Sequence, residues 1–379
     1  MIKILSLFYK NYNYGGILQA FALWKFLKLE DYQCQQIAFL RKVKGRTLLK
    51  MIVYLNMKKI IEKIMIRLIW GDLKKRYHVF FSFMKQISYS AVYNEESISC
   101  SVDKEDIIIV GSDQIWNPDW TEDAYFLNFV PDHNGKIAYA ASIGKSEVPP
   151  EILIKMAKYI NRFDFVSVRE ESAKNLLQPY IKKEIKVVLD PTLLLPREEW
   201  DKMAVTPRIP EPYIFVYLLG NNRSHRIMIK KIARQLNLKI VFLPHIHFRY
   251  NIADRNFGDY NLYEIGPAEF IGLIKNAEMV ITDSFHGCVF SIIYEKNFWA
   301  LKRHEDIERV NMNSRLYTLF DNLGLNDRLV EETTNIDAAK LLKKPDYASV
   351  SKRLDSIRQS SADFLLNSIN KVQEKMGLS

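Results

Sequence analysis

The stretch from Asn276 to Tyr294, NAEMVITDSFHGCVFSIIY, limits what this chain can fold into more than any other. Ala277, Met279, Val280 and Ile281 form a short apolar run of the kind found in buried strands. The run stops at Thr282-Asp283-Ser284-Phe285-His286-Gly287, and apolar residues resume at helical spacing with Val289, Ile292 and Ile293. A strand, a tight polar turn and a helix are predicted. In an open parallel sheet such turns lie at the carboxyl ends of strands, where ligands bind. This turn offers a carboxylate, a hydroxyl, an imidazole and the free N–H groups of a helix start. Two readings stand side by side. Either Asp283 or Ser284 caps the helix while His286 packs nearby, or the turn is a reactive centre.

The pattern recurs along the chain. Ile2 to Phe8 is a predicted strand, Asn11 to Gly16 (NYNYGG) a loop, Ile17 to Leu29 an amphipathic helix, and Cys34 to Leu40 a second strand. The loop lacks the G-x-G-x-x-G spacing, so no dinucleotide cofactor is expected. Asp106 to Val110 runs into Gly111-Ser112-Asp113-Gln114-Ile115-Trp116-Asn117-Pro118. Ile137 to Ala141 runs into Ser142-Ile143-Gly144, Phe165 to Val168 into Arg169-Glu170-Glu171-Ser172, and Val187 to Leu189 into Asp190-Pro191-Thr192. Pro196 to Pro212 has the composition of a linker. A second strand–helix series follows from Tyr213, with a helix at Ser314 to Leu323, and a closing helix is predicted from Val350 to Val372. Strands alternating with helices imply mainly parallel sheets. At 379 residues the chain exceeds one ordinary core. The expected division is an α/β domain at 1–196 with a basic helical insertion at about 41–87, a second at 197–349, and a terminal helix at 350–379.

Charge and cysteine content bound the function. Three widely spaced cysteines, Cys34, Cys100 and Cys288, suit a reducing cytosol and exclude a cysteine-only metal cluster. No apolar run reaches membrane-spanning length. The net charge of +10 calls for an anionic partner. Nothing resembles a zinc finger, an RNA-binding aromatic signature or a helix-turn-helix, so nucleic acid is not expected. The segment from Arg41 to Gln86 is the most basic. Lys58, Lys59, Lys63 and Arg67 alternate there with Ile61, Met65, Leu68 and Trp70. It suits an anionic membrane surface, or a core helix with a solvated basic face.

Several side chains can carry chemistry. Arg169, between a strand and a helix, suits bidentate binding of carboxylate or phosphate; the alternative is an ion pair with Glu170, Glu171 or another acid. Arg315 opens the helix after the last strand and is either aimed at the His286 turn or a solvated surface arginine. Asp190 reads better as a cap than as a catalyst. Ser112 and Asp113 either bind sugar hydroxyls or close their turn. His245 and His247 do not have metal-site spacing, so no metal is expected. A G-x-S-x-G elbow and a Walker loop are also missing.

In order, NYGGILQAFAL from Asn13, DIIIVGSDQIWNP, YAASIG, VSVREESA, VLDPTLLL and ITDSFHGCVFSIIY resemble the polysaccharide pyruvyl transferase family. The ordered set is specific, though each piece alone is weak. The resemblance implies a GT-B-like fold, with two Rossmann-like domains facing a cleft. It implies transfer of pyruvyl from phosphoenolpyruvate, as donor substrate, to a sugar hydroxyl pair as a ketal, with no cofactor. The acceptor is expected to be a saccharide, lipid-linked, in surface polysaccharide biosynthesis, with the enzyme at the inner face of the cell membrane. Arg169 matches the family's phosphoenolpyruvate-binding arginine and His286 its catalytic histidine. Arg315 matches a basic position that is often lysine in relatives. Asn13, Gly15, Gly16, Ser112, Asp113, Ser142 and Ser284 are the expected substrate-side residues. Two other readings remain: a GT-B glycosyltransferase using a nucleotide sugar, and a non-catalytic saccharide- or membrane-binding protein.

Overall fold

The computed structural model describes residues 1–41, 64–246, 251–303, 313–330 and 341–378. Short strands buried on both faces need helices above and below, and the chain supplies them by alternation. The first sheet holds β1 (Ile2–Leu5), β2 (Cys34–Phe39), β3 (Tyr89–Tyr93), β4 (Ile107–Val110), β5 (Gly135–Ala141), β6 (Phe165–Val168) and β7 (Ile185–Val187). Its order is β3-β2-β1-β4-β5-β6-β7, with every neighbouring pair parallel. The second holds β8 (Tyr213–Tyr217), β9 (Lys239–Phe242), β10 (Tyr260–Asn261), β11 (Met279–Thr282), β12 (Asn297–Leu301) and β13 (Leu329–Val330). Its order is β10-β9-β8-β11-β12-β13, again all parallel. Each sheet reverses its winding once, between β1 and β4 and between β8 and β11. These two switch points are where a parallel sheet leaves a crevice for ligand.

The helices are α1 (Tyr14–Leu29), α2 (Trp70–Met84), α3 (Pro150–Ile160), α4 (Glu171–Leu177), α5 (Arg197–Asp201), α6 (Arg223–Leu236), α7 (Pro267–Asn276), α8 (Phe285–Ile293), α9 (Ser314–Leu323) and α10 (Tyr347–Met376). Helix α1 starts three residues before the predicted Ile17. Asn13 caps it, its side-chain oxygen accepting from the Gly16 N–H, and this draws Gly15 and Gly16 into the first turn. The stretch expected to be a bare linker carries α5, whose Trp200 is fully buried. Helix α10 spans both sheets. Near its start the Tyr347 hydroxyl donates to the Lys296 carbonyl. Farther along, Ser361 Oγ accepts from Leu189 N at 3.0 Å, and Val372 lies against Gly135 of β5.

The basic segment is only partly a surface feature. Residues 42–63, including Lys58, Lys59, Ile61 and Lys63, lie outside the described residues. Helix α2 buries Leu73, Phe80, Phe83 and Met84, and its Arg76 donates to the Pro244 carbonyl beside the second sheet at 3.1 Å. Met65, expected at the headgroup boundary, instead packs with Ile69, Leu73 and Ile246, because this side of the segment faces protein. Ile64, Leu68, Trp70 and Phe81 are exposed. No described helix is long and apolar enough to cross a membrane.

Tyr14 joins the halves. Its ring stacks on Phe270 with centroids 4.8 Å apart, meets Tyr217 edge-on, and lies 4.9 Å from the Arg76 guanidinium. Its hydroxyl donates to the Ile265 carbonyl at 2.5 Å, and burial pushes its pKa up to about 12. Replacing Tyr14 by Phe keeps the stacking and leaves the carbonyl unpaired. The expected loss is about 1–3 kcal/mol of unfolding free energy in a urea titration. An unchanged midpoint would show that this bond does not hold the domains together.

Candidate active site

Strand β6 ends at Val168, and Arg169 follows in the turn before α4. Its side chain turns inward instead of pairing with Glu170 or Glu171. Nη1 donates to Asp190 Oδ2 at 2.6 Å and Nη2 to Asp113 Oδ1 at 3.3 Å. Asp190 is the hub. Its Oδ1 accepts from the Thr192 N–H and hydroxyl, capping the 3-10 turn Pro191–Leu193, as the sequence suggested. Its Oδ2 does what the sequence did not reveal. It takes Arg169, accepts from Ser112 Oγ at 3.3 Å, and lies 3.5 Å from His286 Nε2 of the second domain. Burial alone would raise this carboxyl. His286, Arg169 and the Thr192 bonds outweigh burial and hold it well below the usual carboxylate range.

His286 reaches that point because β11 ends at Thr282 and α8 begins at Phe285, capped by Ser284, whose Oγ accepts from the Gly287 N–H. Asp283 spans the base of the turn, its two oxygens accepting from Leu219 N and Gly220 N at 2.6 and 2.8 Å. Ser284 therefore caps the helix, as the first reading of the turn has it, while His286 points at the first domain. On the other side of the ring is the first turn of α1. A Cβ at Gly15 would collide with His286 Nδ1, so only glycine lets the helix approach the imidazole this closely.

Arg315, at the start of α9, also faces inward. Its guanidinium lies 5.8 Å from the centre of the Phe285 ring, and that of Arg169 lies 4.5 Å from the same ring. Burial, together with repulsion from Arg169, lowers the Arg315 pKa to about 10, which leaves it charged at neutral pH. Arg169, His286 and Arg315 are 4%, 6% and 9% exposed. Arg169 Nε and Arg315 Nε are buried with no hydrogen-bond partner among the described residues, and His286 Nε2, 3.5 Å from Asp190 Oδ2, makes no hydrogen bond there either. Arg303, after β12, adds another orphan Nε while its Nη2 donates to the Asp283 carbonyl at 3.2 Å. Guanidiniums with unmet donors are suited to an anion.

The other expected residues divide into two groups. Ser112 and Asp113 join the ion cluster through Asp190 and Arg169. The turn that carries them depends on Gly111, whose φ of +129° favours glycine and whose added Cβ would strike the Tyr139 carbonyl. Ser142 is not open to a substrate. Its hydroxyl donates to Glu170 Oε1 at 2.9 Å, and the Ile143 and Gly144 amides bind the same oxygen. Asn13 and Ser284 cap helices, and Gly16 sits against Asn11.

Asp190→Asn keeps the shape and the cap but removes the charge opposite Arg169. The expected cost is about 3 kcal/mol of stability at neutral pH, as for a broken buried ion pair. The folded carboxyl has a lowered pKa, so the wild-type advantage is complete above the unfolded value of about 4 and shrinks as pH falls below it. Chemical denaturation of both proteins from pH 7 down to pH 3 checks the magnitude and the narrowing gap.

No curated protein matches the chain in sequence. The fold has solved counterparts. The structure is similar to UDP-GlcNAc 2-epimerase from Methanocaldococcus jannaschii, at 15% identity over 90% of each chain, with a TM-score of 0.51. It is similar to UDP-GlcNAc 2-epimerase from Neisseria meningitidis bound to UDP-GlcNAc, at 9% identity over 98% of this chain and 99% of that one, TM-score 0.52. An E. coli trehalose-6-phosphate structure bound with UDP-2-fluoro glucose aligns at 8% identity over 99% and 98%, TM-score 0.51. At such identities these likenesses speak for the architecture alone, which is GT-B-like. The family model described as polysaccharide pyruvyl transferase matches residues 13–305, from the Asn13 cap through the His286 turn to just beyond Arg303, and the chain belongs to that family.

Proposed function

We propose that this protein moves pyruvyl from phosphoenolpyruvate onto two hydroxyls of a saccharide, forming a ketal and releasing inorganic phosphate. One observation carries the reading: Arg169 and Arg315 each keep an unmet donor nitrogen around Phe285, with the His286 imidazole beside them. Phosphoenolpyruvate brings a carboxylate and a phosphate, and two guanidiniums can offset that charge in a site shielded from water. His286 delivers a proton to the methylene carbon, a sugar hydroxyl bonds to C2, and the proton of that hydroxyl returns to the imidazole. The carbon–oxygen bond to phosphate then breaks. A second hydroxyl closes the ring, and its proton leaves with the phosphate.

Incubation with carbon-labelled phosphoenolpyruvate and a panel of lipid-linked glycans, read by mass spectrometry, tests the reading. Label should enter the glycan with release of one phosphate per transfer. Transfer from a nucleotide sugar instead would make the protein a glycosyltransferase, and no turnover with either donor would point to a binding protein. His286→Ala should fold and lose at least about a hundredfold in rate, the scale of a general acid. Near-normal turnover in that variant removes the histidine from the mechanism.

A lipid-linked acceptor in surface polysaccharide assembly would hold the enzyme at an anionic membrane face. The described support is the exposed edge around α2. Leu68 and Trp70 stand out there beside Arg67 and Lys74, with Lys74 Nζ 5.8 Å from the Trp70 ring centre. Each basic residue near such a surface adds about 1 kcal/mol of attraction. Arg67→Glu with Lys74→Glu should reduce sedimentation with anionic vesicles at low salt, while activity on a soluble acceptor analogue is kept. Equal pelleting of both proteins at low and high salt would rule out a membrane role for this edge.

A further inference from the structure

The orphan donors fall into two groups, and only one of them contains Asp190. Arg169 and His286 share that carboxylate. Arg303 and Arg315 do not. With Asp283, Phe285, Asn313 and Leu316 they line a small recess at the start of α9. The Asn313 side chain makes no capping bond to that start. The Leu316 and Tyr317 amides bond to the Asn313 carbonyl, which leaves the Ser314 and Arg315 amides at the open end. Ser314 Oγ is buried and also without a partner among the described residues. The end of α9 is fixed in place, because Glu171 N donates to Thr318 Oγ1 at 3.2 Å and ties it to the turn that carries Arg169.

Among the described residues of its lining the only carboxylate is Asp283, which already accepts from the Leu219 and Gly220 amides with both oxygens. Gly220 packs so closely that an added Cβ would press on Asp283 Oδ2 at 3.0 Å and Arg303 Cγ at 3.2 Å. The wall carrying Arg303 is therefore set by backbone. Two guanidiniums and the start of a helix meet around one small space, and a tetrahedral dianion suits them.

We infer that this recess is a phosphoryl-group pocket built by Arg303, Ser314, Arg315 and the first turn of α9, separate from the Arg169–His286 pair, which takes the carboxylate and the reacting carbon. The assignment rests on the phosphoenolpyruvate reading for the identity of the donor. It gives Arg303 and Ser314 roles that neither residue had from its place in the sequence. It also orients the donor, with the phosphate toward α9 and the methylene toward His286.

Two fragments of the donor, inorganic phosphate and pyruvate, separate the groups by calorimetric titration of the full chain. Arg303→Gln and Arg315→Gln should each weaken phosphate binding about tenfold or more, and Ser314→Ala about threefold, with pyruvate affinity unchanged. Arg169→Gln should do the converse. Arg303→Lys, at a half-exposed position, should restore part of the phosphate affinity, which a general loss of structure would not allow. The inference fails if wild type binds no phosphate, if Arg303→Gln and Ser314→Ala leave its affinity unchanged, or if Arg169→Gln weakens phosphate as strongly as they do. The donor reading is judged separately by labelled transfer. Pyruvyl transfer with unchanged phosphate affinity in Arg303→Gln overturns the pocket alone. Lost phosphate affinity in that variant, with no transfer by wild type, keeps the pocket and overturns the donor.

Discussion

A single carboxylate oxygen, Asp190 Oδ2, organises this molecule. A charge this deeply buried persists only if other charges and hydrogen bonds surround it. Arg169, Ser112 and His286 arrive from three separate strand ends, and His286 comes from the other domain. The ion cluster thus serves as a checkpoint for assembly. Each partner reaches it only if its strand is in register and the domains are closed on one another. Tyr14 stacking and hydrogen bonds from Tyr14, Arg76 and Glu171 also cross the interface, and Gly15 lets α1 approach the imidazole.

The two parallel sheets explain why the chemistry collects where it does. Every strand named in the site ends at the same level as its neighbours: Ile2–Leu5 runs alongside Ile107–Val110, and Met279–Thr282 alongside Tyr213–Tyr217. The polar turns that follow are therefore side by side, and the two switch points face each other across the interface. A short chain segment between a strand and a helix has little freedom, so Arg169 and His286 are held by scaffold and not by loops, while Arg315 stands on the first turn of α9. Their unmet donors keep the site poised for negative charge without rearrangement.

Much of this was legible from residues alone. Apolar runs such as Ile107–Val110 and Met279–Thr282 identify buried parallel strands, because only strands covered on both faces are apolar throughout. The strand–turn–helix around His286 followed from its residues, whereas the inward turn of Arg169 and Arg315 was one of two readings left open, and Arg169 does make the ion pair with other acids. Other features did not declare themselves. Strand β3, YSAVY, is a half-exposed edge and lacks that run. Helix α3 carried a readable stripe, Leu153, Met156, Ala157 and Ile160, after Pro149 and Pro150, and was overlooked. Asp190 was read only as a cap because the sequence shows a side chain's neighbours in the chain. One oxygen does cap, and the other meets groups distant in sequence. Likewise Ser142, which looked available in its loop, is used up by Glu170. Arg303 had no motif around it at all, and only the recess at α9 brings it forward.

Helix α10 has a mechanical meaning. The chain crosses between the domains once after α5 and again through α10, which is fastened to the second domain by Tyr347 and to the first by Ser361 and Val372. Two crossings restrain a pair of bodies differently from one. A single tether permits twisting in any direction, whereas two fixed points define a line. Sliding or pulling the domains apart would strain both crossings at once, and turning about the line between them would strain neither. A swing about that line is therefore the motion the chain connections themselves resist least, and the Asp190–His286, Tyr14–Ile265 and Glu171–Thr318 contacts hold it shut.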